Sequence, residues 1–192
     1  MATEQTRRRA DAKQNNETIL DVTRGLLSGG VLPSMSEVAA AAGVTRATLY
    51  AHFATREDLL EAVVRRAIAD TDQALSGLDL DTMPAEEALA RLVKTSWSIL
   101  DRHRNVRTVA LASLGHEALR DHHDTAFGHV DRLIARGQDD GVFRTDQDRD
   151  WLVAIFYAAL HAAADEVTAG RLPSRTAADT LTATLLSTLK SV

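Results

Sequence analysis

Apolar residues recur at intervals of three and four along nearly the whole chain, and Val, Ile, Thr and aromatic residues never alternate with polar ones long enough for a strand. The pattern predicts an all-α protein. A first helix spans about Lys13 to Leu27, with Ile19, Leu20, Thr23, Leu26 and Leu27 on one face, and stops at Ser28-Gly29-Gly30. Ser34-Met35-Ser36-Glu37 has the spacing of a capping box and opens a short second helix that ends at Gly43. Thr45 caps a third helix over about 46–52, and Thr55-Arg56-Glu57-Asp58 repeats the box to open a fourth that runs to about Leu75. Further helices are expected over about 84–102, 106–114, 117–138, 148–169 and 175–190, divided by Gly115, Gly137, Gly141, Gly170 and Pro173.

Composition fits a packed protein. The apolar fraction is 45% and the charged fraction 26%, with 10 Gly and 3 Pro, and a chain of 192 residues buries roughly 70% of the surface its unfolded form exposes. There is no Cys, which excludes disulfides, thiolate metal sites and a cysteine nucleophile. The longest apolar run, Trp151 to Leu160, falls short of the roughly 18 to 20 residues a membrane span needs. The polar, basic start MATEQTRRRADAKQNN lacks the apolar core of a secretory signal, so the expected location is the cytoplasm, with no membrane partner. The formal net charge is −5, yet residues 1–56 hold seven Lys/Arg against five Asp/Glu. The acidic excess therefore lies in the rest of the chain, and the first quarter is mildly basic.

The stretch from Ser34 to Leu60 carries the chemistry. Gly43 sits where the chain must leave the second helix through a left-handed conformation, and small Ala39, Ala40 and Ala42 let two short helices cross around Val38, Val44, Leu49 and Phe53. With Leu49 and Phe53 facing inward at i and i+4, the outward face of the third helix is short, polar and free of acids. Such a face can enter the major groove. Arg46 and Thr48 would reach base edges, the Ala47 methyl could meet a thymine, and Tyr50 and His52 would hold phosphates. Thr55 and Arg56 would offer helix-start N–H groups and a cation to a further phosphate. With the capping residues Ser34 and Thr45, these positions are the candidate contacts to double-stranded operator DNA.

The string Ala42-Gly43-Val44-Thr45-Arg46-Ala47-Thr48-Leu49-Tyr50-Ala51-His52-Phe53-Ala54-Thr55-Arg56-Glu57-Asp58-Leu59 resembles the DNA-binding segment of the TetR family of bacterial transcriptional regulators. That family's pattern is close to Ala-Gly-Val-Ser/Thr-x-Gly-Thr-Leu-Tyr-x-His-Phe-x-x-Lys-x-x-Leu. The likeness covers about residues 15–62 in motif detail and departs at Ala47, where Gly is usual, and at Arg56, where Lys is usual. It implies an N-terminal three-helix helix-turn-helix DNA-binding domain over 1–60 and a C-terminal helical ligand-binding and dimerisation domain over 61–192. It also implies a homodimer that presents two reading helices to a palindromic operator and a small-molecule effector that releases it.

The remaining candidates come from residue type and spacing. Trp97, His103, Phe127, Phe156, Tyr157 and His161 could line a mostly apolar effector pocket. Trp151 and Ile155 on one helix, and Leu181, Leu185 and Leu189 on the last, could supply the dimer contact or simply an intramolecular core. Arg7-Arg8-Arg9 could follow the DNA backbone or merely solubilise. Six of the seven His lie between His103 and His161, but no two are spaced i, i+3 or i, i+4, and only His161 with Asp165 is. Asp146 to Asp150 begins like a calcium loop, but Trp151 stands where Gly is required; it reads as a helix N-terminus favoured by the dipole. No metal, cofactor or catalytic residue is expected, since phosphate-loop, dinucleotide, nucleophile-elbow and zinc-protease motifs are absent from the sequence. A helical protein-interaction module or an all-α enzyme would be the reading from other classes, and within the favoured class an activator or ligand-independent regulator remains open.

Overall fold

A computed structural model describes the backbone of residues 2–121 and 124–191 and the side chains of 12–115, 119 and 127–191. Among the described residues the secondary structure is helical, apart from an isolated bridge between Phe143 and Lys190. The helices are α1 (Ala2–Leu26), followed by a 3-10 turn (Leu27–Gly29), α2 (Met35–Ala42), α3 (Arg46–His52), α4 (Arg56–Ser76), α5 (Ala85–Arg102), α6 (Arg104–Asp121), α7 (Asp124–Asp139), α8 (Arg149–Thr168) and α9 (Ser174–Leu189). No helix among the described residues is long and apolar enough to cross a membrane.

Two features differ from the sequence expectation, the start of α1 and the place of Gly137. Helix α1 begins at Ala2, not near Lys13, because Ala, Glu, Gln, Arg and Lys favour a helix even where no apolar stripe marks one. The Arg7-Arg8-Arg9 run therefore lies on helical backbone; its side chains are outside the described residues. The segment expected as one helix over 117–138 is helical up to Asp121 and again from Asp124, and residues 122 and 123 lie outside the described residues. Gly115, expected as a divider, does interrupt α6 as a non-helical kink at φ 84°, ψ 172°, a region that side chains with a Cβ avoid. Gly137, expected as a divider, lies inside α7, and a Cβ built there would stand 2.1 Å from the Phe143 ring. The glycine is needed for close approach: Phe143 is fully buried over α7, and its N–H donates to the Gly137 carbonyl at 2.8 Å.

The chain forms two compact units. One comprises the residues up to Ala67 together with Asn105–Leu119. In it α1 packs on α2 and α2 on α3, burying Ile19, Leu20 and Leu27 of the first segment, Met35, Val38 and Ala39, then Leu49, Phe53, Leu59 and Leu60. Thr23 is fully buried and satisfied, its hydroxyl donating to the Ile19 carbonyl at 2.7 Å. Leu26, expected on the same face, turns outward at 36% exposure. Arg66 of α4 ties back to α1, donating to the Glu17 carbonyl at 3.3 Å and pairing with Asp21 at 3.4 Å.

The second unit comprises Ile68–Arg104 and the residues from Arg120 on. Here α5 packs on α7, α8 and α9, and α8 on α7 and α9. Leu89, Leu92, Val93 and Trp97 of α5 meet Ile134, Leu152, Phe156, Leu181, Leu185 and Leu189 in a continuous apolar core. The loop after α4 is held from α7, where Arg136 donates to the carbonyls of Leu80, Asp81 and Met83.

Candidate nucleic-acid interface

The reading segment is built by local capping. At the start of α2, the Ser34 hydroxyl donates to Glu37 Oε2 at 2.7 Å and accepts from the Glu37 N–H at 3.3 Å, and the Ser34 N–H donates to the same carboxylate at 2.8 Å. This capping box holds the Glu37 carboxyl below its ordinary pKa, the Ser34 side-chain bond contributing most. It also commits the Ser34 hydroxyl in both directions, which leaves that side chain a helix cap before it is a DNA contact. Helix α2 ends at Gly43, with φ 67°, whose N–H meets the Ala39 and Ala40 carbonyls.

Thr45 then caps α3. Its hydroxyl accepts from the Thr48 N–H at 3.1 Å and shares a second hydrogen bond with the Thr48 hydroxyl at 2.8 Å. Leu49 and Phe53 are buried as expected, while Arg46, Ala47 and Tyr50 are exposed and Thr48 and His52 half-buried. Arg46 makes no ion pair among the described residues, so its guanidinium is available to a ligand. The sequence reading missed the Thr45–Thr48 bond; spacing i, i+3 across an N-cap was the signal. Thr55 repeats the box at the start of α4, accepting from Asp58 N–H and donating its own N–H to Asp58 Oδ2, both at 3.0 Å. Arg56 is exposed but bonded through Nε to Glu57 at 3.0 Å, so its charge is partly screened before any phosphate arrives.

The other candidates divide. Trp97 and Phe156 lie in the core of the second unit at 5% and 4% exposure. Phe127, Tyr157 and His161 form an aromatic row, with ring centroids 5.2 Å apart for the first pair and 4.1 Å for the second. His103, 7% exposed, lines a separate cleft with residues of α4 and α5. Sequence reasoning passed over its neighbours Lys94, Ser98 and Arg102, although their four-residue spacing marks one line along a helix. Leu181, Leu185 and Leu189 are core residues at 4%, 1% and 1% exposure, because α9 turns that row onto α5. Of the expected contact face, Trp151 at 57% exposure and half-buried Ile155 remain accessible. Asp148 caps α8 through the Trp151 N–H at 3.2 Å, and no group of three potential metal ligands occurs among the described residues.

Two short helices joined at a left-handed glycine, the second exposing a cationic and hydroxyl-bearing face without acids, fit the major groove of duplex DNA. The class this defines is a helix-turn-helix transcription regulator. Residues 19–63 match the family described as bacterial regulatory proteins, tetR family. The chain is 28% identical over 153 residues to the HTH-type transcriptional regulator NfxB of Pseudomonas aeruginosa, covering 77% of this chain and 80% of that one. It is 30% identical over 83 residues to the HTH-type transcriptional repressor LfrR of Mycolicibacterium smegmatis, covering 43% and 44%. The structure of LfrR from Mycobacterium smegmatis in complex with proflavine superposes with a TM-score of 0.68 at 22% identity, covering 94% of this chain and 99% of that one. FadR from Bacillus subtilis in complex with stearoyl-CoA gives 0.77 at 16% identity, covering 89% and 97%. Residues 19–63 are therefore a DNA-binding segment of the TetR family, whose members are DNA-binding transcription regulators, and the rest of the chain shares the fold of such regulators.

Proposed function

We propose that this chain is a homodimeric repressor that binds a palindromic operator and leaves it when a small molecule occupies the C-terminal helices. Residues 1–60 would read DNA and 61–192 would regulate. The observation that carries the reading is the exposed, acid-free face of α3, with Arg46 in no ion pair among the described residues and Thr48 oriented by Thr45. Two such helices must stand about 34 to 36 Å apart to enter successive major grooves, which a symmetric pair of chains fixes. The exposed row of α8 at Trp151 and Ile155 is the surface we assign to that pairing. Small-molecule release draws support from the family and from relatives of the same fold that hold proflavine and stearoyl-CoA. Ligand acts through its differential affinity for two conformations; reversing a 1:99 population to 99:1 needs roughly 5.5 kcal/mol.

The test is selection of duplexes from a random pool with the purified chain, followed by titration of the enriched site over a range of salt. An inverted repeat bound by two chains, with affinity falling steeply as salt rises, is the expected result. Enrichment of no duplex at low salt, or of sites without two-fold symmetry, overturns the reading.

A further inference from the structure

Helix α5 carries two faces. Its apolar face fills the core of the second unit, while Lys94, Ser98 and Arg102 lie on one line four residues apart, with Thr95 beside them. This polar line borders a cleft of about 360 Å³ whose other wall is the C-terminal half of α4, contributing Asp70 and Ala74, and whose lining includes buried His103. The volume falls within the range of small-molecule sites, roughly 300 to 1,000 Å³. Lys94 and Arg102 are about 12 Å apart along the helix axis, at 1.5 Å per residue.

The charges are unevenly committed. Lys94 lies 3.6 Å from Asp179 of α9, whereas Arg102 has no ion pair among the described residues, although it shares the cleft with Asp70. A planar guanidinium with free donors, the Ser98 hydroxyl one turn before it, the Thr95 hydroxyl two turns before it and an imidazole next to it match the two oxygens of a carboxylate better than any cation. Ala74 and Ile99 give the cleft an apolar portion, and Asp70 on the facing wall accepts a hydrogen bond from a donor elsewhere on the same molecule.

We propose that the cleft between α4 and α5 binds an organic carboxylate of small aromatic size, its acid group held at Arg102 with Ser98 and Thr95 and a hydroxyl held at Asp70. Occupancy would bridge α4 to α5, and its role as the effector site rests on the repressor reading above. The probe is 4-hydroxybenzoate, compared with benzoate, 4-hydroxybenzyl alcohol and tyramine by calorimetric titration of the full chain. Saturable binding of 4-hydroxybenzoate at one per chain is expected. Arg102→Gln weakens it at least tenfold with the thermal midpoint unchanged, Asp70→Asn removes its advantage over benzoate, and tyramine binds worst.

No saturable binding, equal binding by Arg102→Gln, or tyramine matching the acid overturns the site. Operator affinity at saturating 4-hydroxybenzoate is read separately. A drop supports the effector role; binding without a drop overturns that role and leaves the site standing. A chain that binds the acid but no duplex overturns the repressor reading alone.

Discussion

In the proposed reading, specificity turns on Arg46, the one Lys or Arg of α3, which stands exposed with no ion pair among the described residues. An arginine paired to a guanine edge discriminates by about 1 to 3 kcal/mol. Arg46→Ala is therefore expected to weaken binding to the selected operator by that amount while changing affinity for random duplex little, as measured by competition titration. Arg56→Ala should lower both by the same small factor and reduce the salt slope, since Arg56 is already bonded to Glu57. Equal losses on both duplexes for Arg46→Ala would remove it from the base-reading set. A packing prediction belongs at the same scale. A methyl at Gly137 would stand 2.1 Å from a Phe143 ring that is 1% exposed, so the ring has nowhere to move. Gly137→Ala should destabilise the second unit by about 1 to 3 kcal/mol despite the better helix propensity of Ala. A raised thermal midpoint for that variant would show that the ring yields.

The short helices α2 and α3 hold their boundaries through caps, and caps titrate. Glu37 has its pKa lowered chiefly by the Ser34 hydroxyl, so its contribution to stability is complete above the unfolded-state value of about 4.3. It is lost as pH falls below that value and through the lower folded one. Thermal unfolding of the wild type and Glu37→Gln should differ above pH 5 and converge toward pH 3; a gap that persists unchanged at pH 3 argues against the linkage. The same locality explains what could be read in advance. The starts of α2, α3 and α4 and the Gly43 corner were legible because Ser34/Glu37, Thr45 and Thr55/Asp58 act within one turn of chain. The early start of α1 was not, since apolar periodicity is silent in a polar helix. The surroundings of the α9 row and of the aromatics were not legible for another reason: Leu185 or Phe156 has the same residue type whether it meets its own core, a second chain or a ligand.

At the scale of the whole molecule, the proposed reading of two half-sites demands two chains, and the described surface offers few apolar places to join them. Trp151 is 57% exposed at the start of α8, with Ile155 one turn on and Ala158 and Ala162 continuing the same side. A contiguous apolar row exposed on a helix that also packs the core marks a candidate contact surface, where a lone exposed apolar residue would need no explanation. The leucines of α9 lie inside the chain, so substituting them tests folding and not association: Leu185→Ala should cost about 2 to 5 kcal/mol. Trp151→Glu with Ile155→Glu should instead leave the helical circular dichroism unchanged and halve the mass seen by sedimentation. Operator affinity should then fall more than tenfold, because each half-site would be bound independently, while binding to an isolated half-site is retained. A doubly substituted chain that still sediments as a pair would move the dimer contact elsewhere on the molecule.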